Sequence, residues 1–262
     1  MTIKYLSALL VIVSLLSCAK KEDDAASFVS GYKTITVTNG GSIKGIVKFV
    51  GVMPTTTMIE TQKDQDVCGA SHPNRAVPTK TNTIGSCVVY LEKVKEGKAF
   101  STGKFTLDQH GCEFLPHIQA LPLGASLVVS NSDGVIHNYH ITKGAENIMN
   151  EAQPVGGPAH EVKIATAGLL SIGCDVHPWM KGFLFVAENP YYAVTDSTGS
   201  FAITDIPEGN YEVVLWRDNW NVDAIKNAEG RITSYKWGVD FSKKQTVNIV
   251  KGKETELNFD LP

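Results

Sequence analysis

Seven residues, Cys174-Asp175-Val176-His177-Pro178-Trp179-Met180, place a thiol, an imidazole and a thioether within one short stretch. Holding such groups around a point demands a rigid frame, so the stretch must be a loop gripped by strands. Leu169-Leu170-Ser171-Ile172-Gly173 reads as the strand that delivers Cys174. Upstream, Val135-Ile136-His137-Asn138-Tyr139-His140 is apolar and strand-like, and it supplies a second imidazole. The residues between His137 and Cys174 suffice to cross a sandwich and return. Thiolate and thioether are soft ligands that suit copper, and one Cys, two His and a weak axial Met make a type-1 (blue) centre. His140 lies three residues from His137, on the opposite face of a strand, and reads as structural.

The runs Asn131-Ser132-Asp133, His137-Asn138-Tyr139-His140, Ala167-Gly168 and Cys174 to Met180 together resemble the cupredoxins over roughly residues 104 to 189. The Cys-x2-His-x2-Met loop looks most like that of amicyanin. The resemblance implies His137, Cys174 and His177 as equatorial ligands and Met180 as the axial one. It implies that Asn138 ties the two ligand loops together. It also implies an electron port at the surface, formed by the edge of His177 with Pro178 and Trp179.

The chain opens with Lys4 and the apolar run from Leu6 to Leu16, too short to span a bilayer as a mature helix. Leu15-Leu16-Ser17-Cys18 resembles a bacterial lipobox. That pattern implies a signal peptide over residues 1–17, cleavage before Cys18 and lipidation of its thiol. Two or more acyl chains anchor a protein stably. Residues 18–40 then form a tether, whose Lys20-Lys21-Glu22-Asp23-Asp24 run is too polar to pack. The expected location is the bacterial cell envelope, with Ala19 favouring the outer membrane, facing the periplasm or the cell surface.

The two ends of the remaining chain match each other. Ser42 to Val50 alternates, with Ile43, Val47 and Phe49 on one face and Lys44 and Lys48 on the other, as a half-buried strand does. Val88-Val89-Tyr90-Leu91 reads as another strand, and residues 54–85 between them as a long loop or irregular excursion. After the copper segment come Thr195-Asp196-Ser197-Thr198-Gly199-Ser200-Phe201 and Ile206-Pro207-Glu208-Gly209-Asn210-Tyr211, both with turn chemistry. Leu257, Phe259 and Leu261 alternate in a last strand. These runs resemble the carboxypeptidase regulatory-like (transthyretin-type) sandwich. The expected architecture is all-β. A cupredoxin sandwich over 104–189 is inserted in a discontinuous sandwich built from 41–103 and 190–262. Residues 217–245, with Trp220 and Trp237, are expected to serve packing.

An exported protein meets disulfide-permissive conditions. Besides Cys18 and Cys174 there are Cys68, Cys87 and Cys112, an odd number that leaves one thiol free. Cys87 precedes a strand and reads as buried. Cys68 and Cys112 lie in loop-like stretches and are the expected pair. The rival is a second metal site from Cys68, His72, Cys112 and His117, although its Cys-x3-His and Cys-x4-His intervals do not match common zinc spacings.

A net charge of −3 gives no reason to expect a nucleic-acid partner. An oxidase or nitrite-reductase-like enzyme needs a second copper centre built from His-x-His pairs. The chain offers His137-x-x-His140 and no second repeat, so it is not read as an enzyme. A copper carrier or store would use the same ligands, but the exposed Met-rich or His-rich tracts of carriers are missing. The leading reading is a membrane-anchored protein that carries single electrons between redox proteins such as c-type cytochromes or a dehydrogenase.

Overall fold

The structure is a computed structural model that describes residues 31–52, 58–77 and 82–262. The leader 1–17, Cys18 and the expected tether up to residue 30 lie outside the described residues; the rest of the expected tether is instead packed, because Lys33–Thr34 pairs parallel with Glu96–Gly97 and Tyr32 lies against the flanking core. Among the described residues the chain is all-β, with one four-residue helix, Gln65–Cys68.

Strands from the two ends of the chain enclose one core. The Gly41–Phe49 strand pairs antiparallel with Ser200–Ile206 and parallel with Glu254–Glu256 and Phe259–Leu261. Facing it is a sheet in the order Tyr192–Val194, Val88–Leu91, Gly209–Arg217, Phe241–Ile249. Ile43, Val47, Phe49, Val89, Leu91, Phe201, Val213 and Phe259 are buried together between the two. The alternation read in residues 42–50 is the reason: every second side chain of that strand points into this core.

The last strand is broken where a continuous one was expected. Leu257 and Asn258 separate its halves because the main chain there turns in toward Gly45. A Cβ on Gly45 would stand 1.7 Å from the Leu257 carbonyl oxygen, so only glycine admits the approach. The Leu257 N–H donates to Lys44 O (2.8 Å), and Asn258 Oδ1 accepts the Ile46 N–H (2.8 Å).

Between these flanking pieces lies a second pair of sheets. One runs His160–Lys163, Ser126–Asn131, Phe105–Gln109, Phe114–Leu115. The other runs Glu146–Gln153, His137–Lys143, Gly168–Gly173, Lys181–Ala187, Ile118–Pro122. Their core holds Leu107, Leu127, Val129, Tyr139, Ile141, Leu170, Ile172 and Leu184. A third apolar cluster joins the two sandwiches. Phe183 packs edge-on against Trp216 (ring centroids 4.9 Å apart), and Phe185 tilts onto Tyr90 (4.4 Å).

The excursion after Phe49 is more regular than a loop. Met58–Glu60 and Ser71–Pro73 form a ribbon, with the Gln65–Cys68 helix at its tip. Ile59 and Cys68 are buried against the second sandwich, and Cys68 is bonded to Cys112. That anchoring gives the segment an order its Thr- and Pro-rich sequence does not announce. Trp220 joins the flanking core, and Trp237, at the end of the Ile232–Trp237 strand, packs against the second one.

Candidate metal centre

Strand register creates the loop. Gly168–Gly173 and Lys181–Ala187 are antiparallel neighbours with Gly173 opposite Lys181, so residues 174–180 close the end of this hairpin. Cys174 and Met180 therefore stand at the loop's two feet. His140 pairs with Gly173 across the neighbouring strand, which brings His137 over the same end. The turn before His137 is fixed by Asn131, whose Nδ2 donates to the carbonyls of Val135 (2.9 Å) and Gln153 (3.0 Å).

Three ligand atoms converge there. His137 Nδ1 and His177 Nδ1 are 2.9 Å apart, and Cys174 Sγ lies 4.0 Å from the first and 3.8 Å from the second. All three side chains are buried. Met180 is buried in the same cluster, and its N–H donates to His177 O at 2.9 Å.

The outer nitrogens are also occupied. His137 Nε2 lies 2.9 Å from Asp133 Oδ2, and His177 Nε2 lies 2.9 Å from Asp64 Oδ2. Such carboxylates favour the tautomer with the proton on Nε2. Two Nδ1 lone pairs then face each other beside a thiol, an arrangement that a shared cation relieves. A metal bonded to one sulfur and two imidazoles at about 2.0–2.3 Å would space them by roughly 3.5–3.8 Å. The sulfur–nitrogen separations of 3.8 and 4.0 Å lie at or just above this range, and the nitrogen pair at 2.9 Å is tighter than its lower end by about 0.6 Å. The donor set of one thiol and two imidazoles thus fits a metal of copper's preferences.

Without a metal, the surroundings favour the neutral Cys174 thiol. Burial pushes the Cys174 thiol above its usual range, against the N–H groups of Asn138, His177 and Val176, which pull it down. A cation would reverse that balance and deprotonate the thiol. Burial pushes the His177 imidazole down, and the neighbouring Asp64 opposes this. At Asp133, burial alone would raise the carboxyl. Hydrogen bonds from the Cys112 N–H, His137 and the Gly111 N–H outweigh it and hold the group low.

Asn138 spans the two ligand segments. Its Oδ1 accepts the Asp175 N–H at 2.7 Å, and its Nδ2 donates to Asp175 Oδ2 (3.0 Å) and Asn150 Oδ1 (2.7 Å). His140 is outside the triad, its Nδ1 2.9 Å from Asp175 Oδ1. The Asn138→Ala protein should bind metal about 10–100-fold more weakly, the usual cost of an outer-shell partner. Competition with a chelator of known affinity checks this.

The exposed His177 edge expected from the loop is absent. The His177 side chain is 0% exposed, because Asp64 from the ribbon covers Nε2 and the Trp179 ring packs on the imidazole at 5.0 Å between centroids. Trp179 is buried too, and Pro178 is half-buried. The short loop does bring His177 to the end of the sandwich, but the ribbon then lies over it. Asp64 has no sequence signal of its own. Only the Cys68–Cys112 pairing could have pointed to its neighbourhood.

Cys68 and Cys112 form a disulfide, so neither offers a thiolate to a second site with His72 and His117. His117 instead bonds Lys181 O (3.0 Å) and Asp218 (2.8 Å). Cys87 is a buried free thiol in the flanking core.

Solved structures similar to part of the chain are cupredoxins and related copper proteins. A purple cupredoxin from Nitrosopumilus maritimus shares 20% identity, covering 32% of this chain and 100% of that one, with a TM-score of 0.29. The amicyanin of Paracoccus versutus shares 19% identity over 33% of this chain and 84% of its own, with a TM-score of 0.30. A Cu-containing nitrite reductase from Thermus scotoductus SA-01 shares 22% identity over 35% of this chain, with a TM-score of 0.30, and the match spans 24% of the reductase. Neither a family model nor a curated relative matches the sequence.

Proposed function

We propose that this chain holds one type-1 copper ion between His137, Cys174, His177 and Met180 and carries single electrons between envelope redox proteins, such as c-type cytochromes or a dehydrogenase. The observation that carries this reading is the convergence of two Nδ1 atoms on a buried thiol, with each outer Nε2 held by a carboxylate. When bound, copper supplies a one-electron couple. The chain's part is to fix the donors. The strand ends hold Cys174 and Met180, Asp133 and Asp64 orient the imidazoles, and the apolar cluster excludes water from the thiolate. Donors fixed in this way need little rearrangement when the charge at the centre changes. The cover on His177 argues against a carrier that must exchange its metal quickly.

The test is copper titration of the soluble domain. An intense visible band, saturating at one copper per chain, is expected, and a colourless protein that holds only zinc would defeat the reading. Affinity should fall by about tenfold per pH unit as pH is lowered from 9 to 6.5. The sign follows from Cys174, whose thiol stays protonated above its ordinary value of 9.0, so each bound metal displaces one proton. His177, shifted below 6.5, adds competition only at lower pH.

The domain division given by the sequence, a copper sandwich at 104–189 within 41–103 and 190–262, belongs to the same proposal, as does a lipid anchor at Cys18. Replacing Cys18 with Ala should move the protein from the membrane to the soluble envelope fraction. Retention with membranes would remove the anchor from the proposal.

A further inference from the structure

The ribbon of residues 58–77 links the flanking sandwich to the metal centre. At its far end Ala76 is buried in the flanking core, Asn74 Nδ2 donates to Trp220 O (2.7 Å), and the Arg217 guanidinium donates to Ala76 O (3.0 Å). At its near end Ile59 and Cys68 are buried in the cluster that contains Cys174. Arg75 clamps Glu113 through Nε (3.0 Å) and a second nitrogen (2.7 Å).

The disulfide joins two short turns, and each serves one imidazole. Asp64 starts the first turn. Its carbonyl accepts the N–H groups of Val67 (3.0 Å) and Cys68 (2.8 Å), while its carboxylate meets His177 Nε2. Cys112 ends the second. The N–H groups of Gly111 and Cys112 each donate to Asp133 at 2.7 Å, and Asp133 meets His137 Nε2. One covalent bond thus connects the backbones that aim both carboxylates. Asp64 takes a left-handed backbone (φ 51°), a conformation that Asp tolerates better than most residues, so the turn is set by local geometry as well.

We propose that Asp64 is a positioning residue for His177, held in place by the Cys68–Cys112 bond, and that the ribbon sets how fast metal leaves the centre. This rests on the metal reading given above. Without Asp64 the His177 ring would lose its outer hydrogen bond and the cover over Nε2. It can then rotate away from the other donors, which is the first step of release. The flanking sandwich would therefore be more than a support, because it contributes the group that keeps one ligand in register.

The experiment compares wild type with Asp64→Ala, Asp64→Asn, Asp64→Glu and the double variant Cys68→Ser/Cys112→Ser. The visible band of each copper-loaded protein is recorded first, and then the rate of transfer from the reduced protein to a Cu(I) chelator. Asp64→Ala and the double variant should release copper about 10-fold or more faster than wild type, in keeping with outer-shell losses elsewhere. Asp64→Asn should be intermediate, and Asp64→Glu should return toward wild type. Nitrogen-15 spectra of the metal-free proteins give an independent readout: His177 should show the Nε2–H tautomer in wild type and a mixture in Asp64→Ala. If all the proteins are coloured but the rates and the tautomer are unchanged in Asp64→Ala, the proposal falls and the metal reading stands. If wild type takes up no copper, both fall. Asp64 is a half-exposed turn residue, so its variants remain informative even if the cysteine variant does not fold.

Discussion

Copper-loaded Cys174→Ser protein is expected to lack the intense visible band of wild type and to bind the metal more than about 100-fold more weakly, beyond the range of outer-shell changes. In the proposed centre the thiolate is the soft, charged member of the donor set, and its bond to copper would be the source of the colour. Serine keeps the shape of the side chain but offers a hydroxyl that stays protonated in this buried site. The two imidazoles and Met180 remain, so residual binding should be weak and pale. The control is Cys87→Ala. Cys87 is also buried and free, with burial pushing its thiol up to about 11. It belongs to the other core and has the raised pKa of an inert structural thiol. Its variant should keep the band unchanged. Titration of both variants with copper, followed by absorbance and chelator competition, decides the matter. An intact band in Cys174→Ser would remove Cys174 from the centre.

Much of this site could be read in advance because its residues are close in sequence or lie on predictable strands. Cys174, His177 and Met180 share one short loop, and the apolar run around His137 announces a strand. Asn138 could be read only through the cupredoxin resemblance. The all-β class followed from alternation such as that of Ile43, Val47 and Phe49, because a period of two is a local property. The parts that could not be read depend on long-range contacts. Asp64 reaches His177 across 113 positions. Nothing near Asp64 in the sequence distinguishes it from a solvated loop aspartate. The same contact explains why the expected bare edge of His177 is covered. A loop's own sequence shows what it presents, but not what a distant segment lays over it. Asp133 lies between these cases. It stands near His137 in sequence, yet its role depends on two N–H groups from the Gly111–Cys112 turn.

The second large effect is expected far from the metal. Phe259→Ala should destabilise the protein by about 3–5 kcal/mol, the usual cost of removing a buried aromatic ring. Phe259 is 1% exposed and lies opposite Val47 in the parallel pair that joins the chain's last strand to the Gly41–Phe49 strand. Its ring faces Phe201 at 6.3 Å between centroids, and alanine would leave that space to be filled by a strand already broken at Leu257–Asn258. For a chain of this size the loss corresponds to a fall in melting temperature of about 6–20 °C. Where the loss is felt is the more telling result. Phe259 belongs to the flanking core and Cys174 to the other. The two are coupled by the Phe183–Trp216 and Phe185–Tyr90 contacts and by the ribbon that carries Asp64. A buried apolar junction of this kind favours a single cooperative unit over two independent domains. The visible band of copper-loaded Phe259→Ala should therefore bleach at the same lowered temperature as the far-ultraviolet circular dichroism signal. A band that persists at the wild-type temperature, while the sheet signal of the flanking sandwich is lost earlier, would show that the two sandwiches melt separately. The ribbon would then hold His177 without support from the core it springs from.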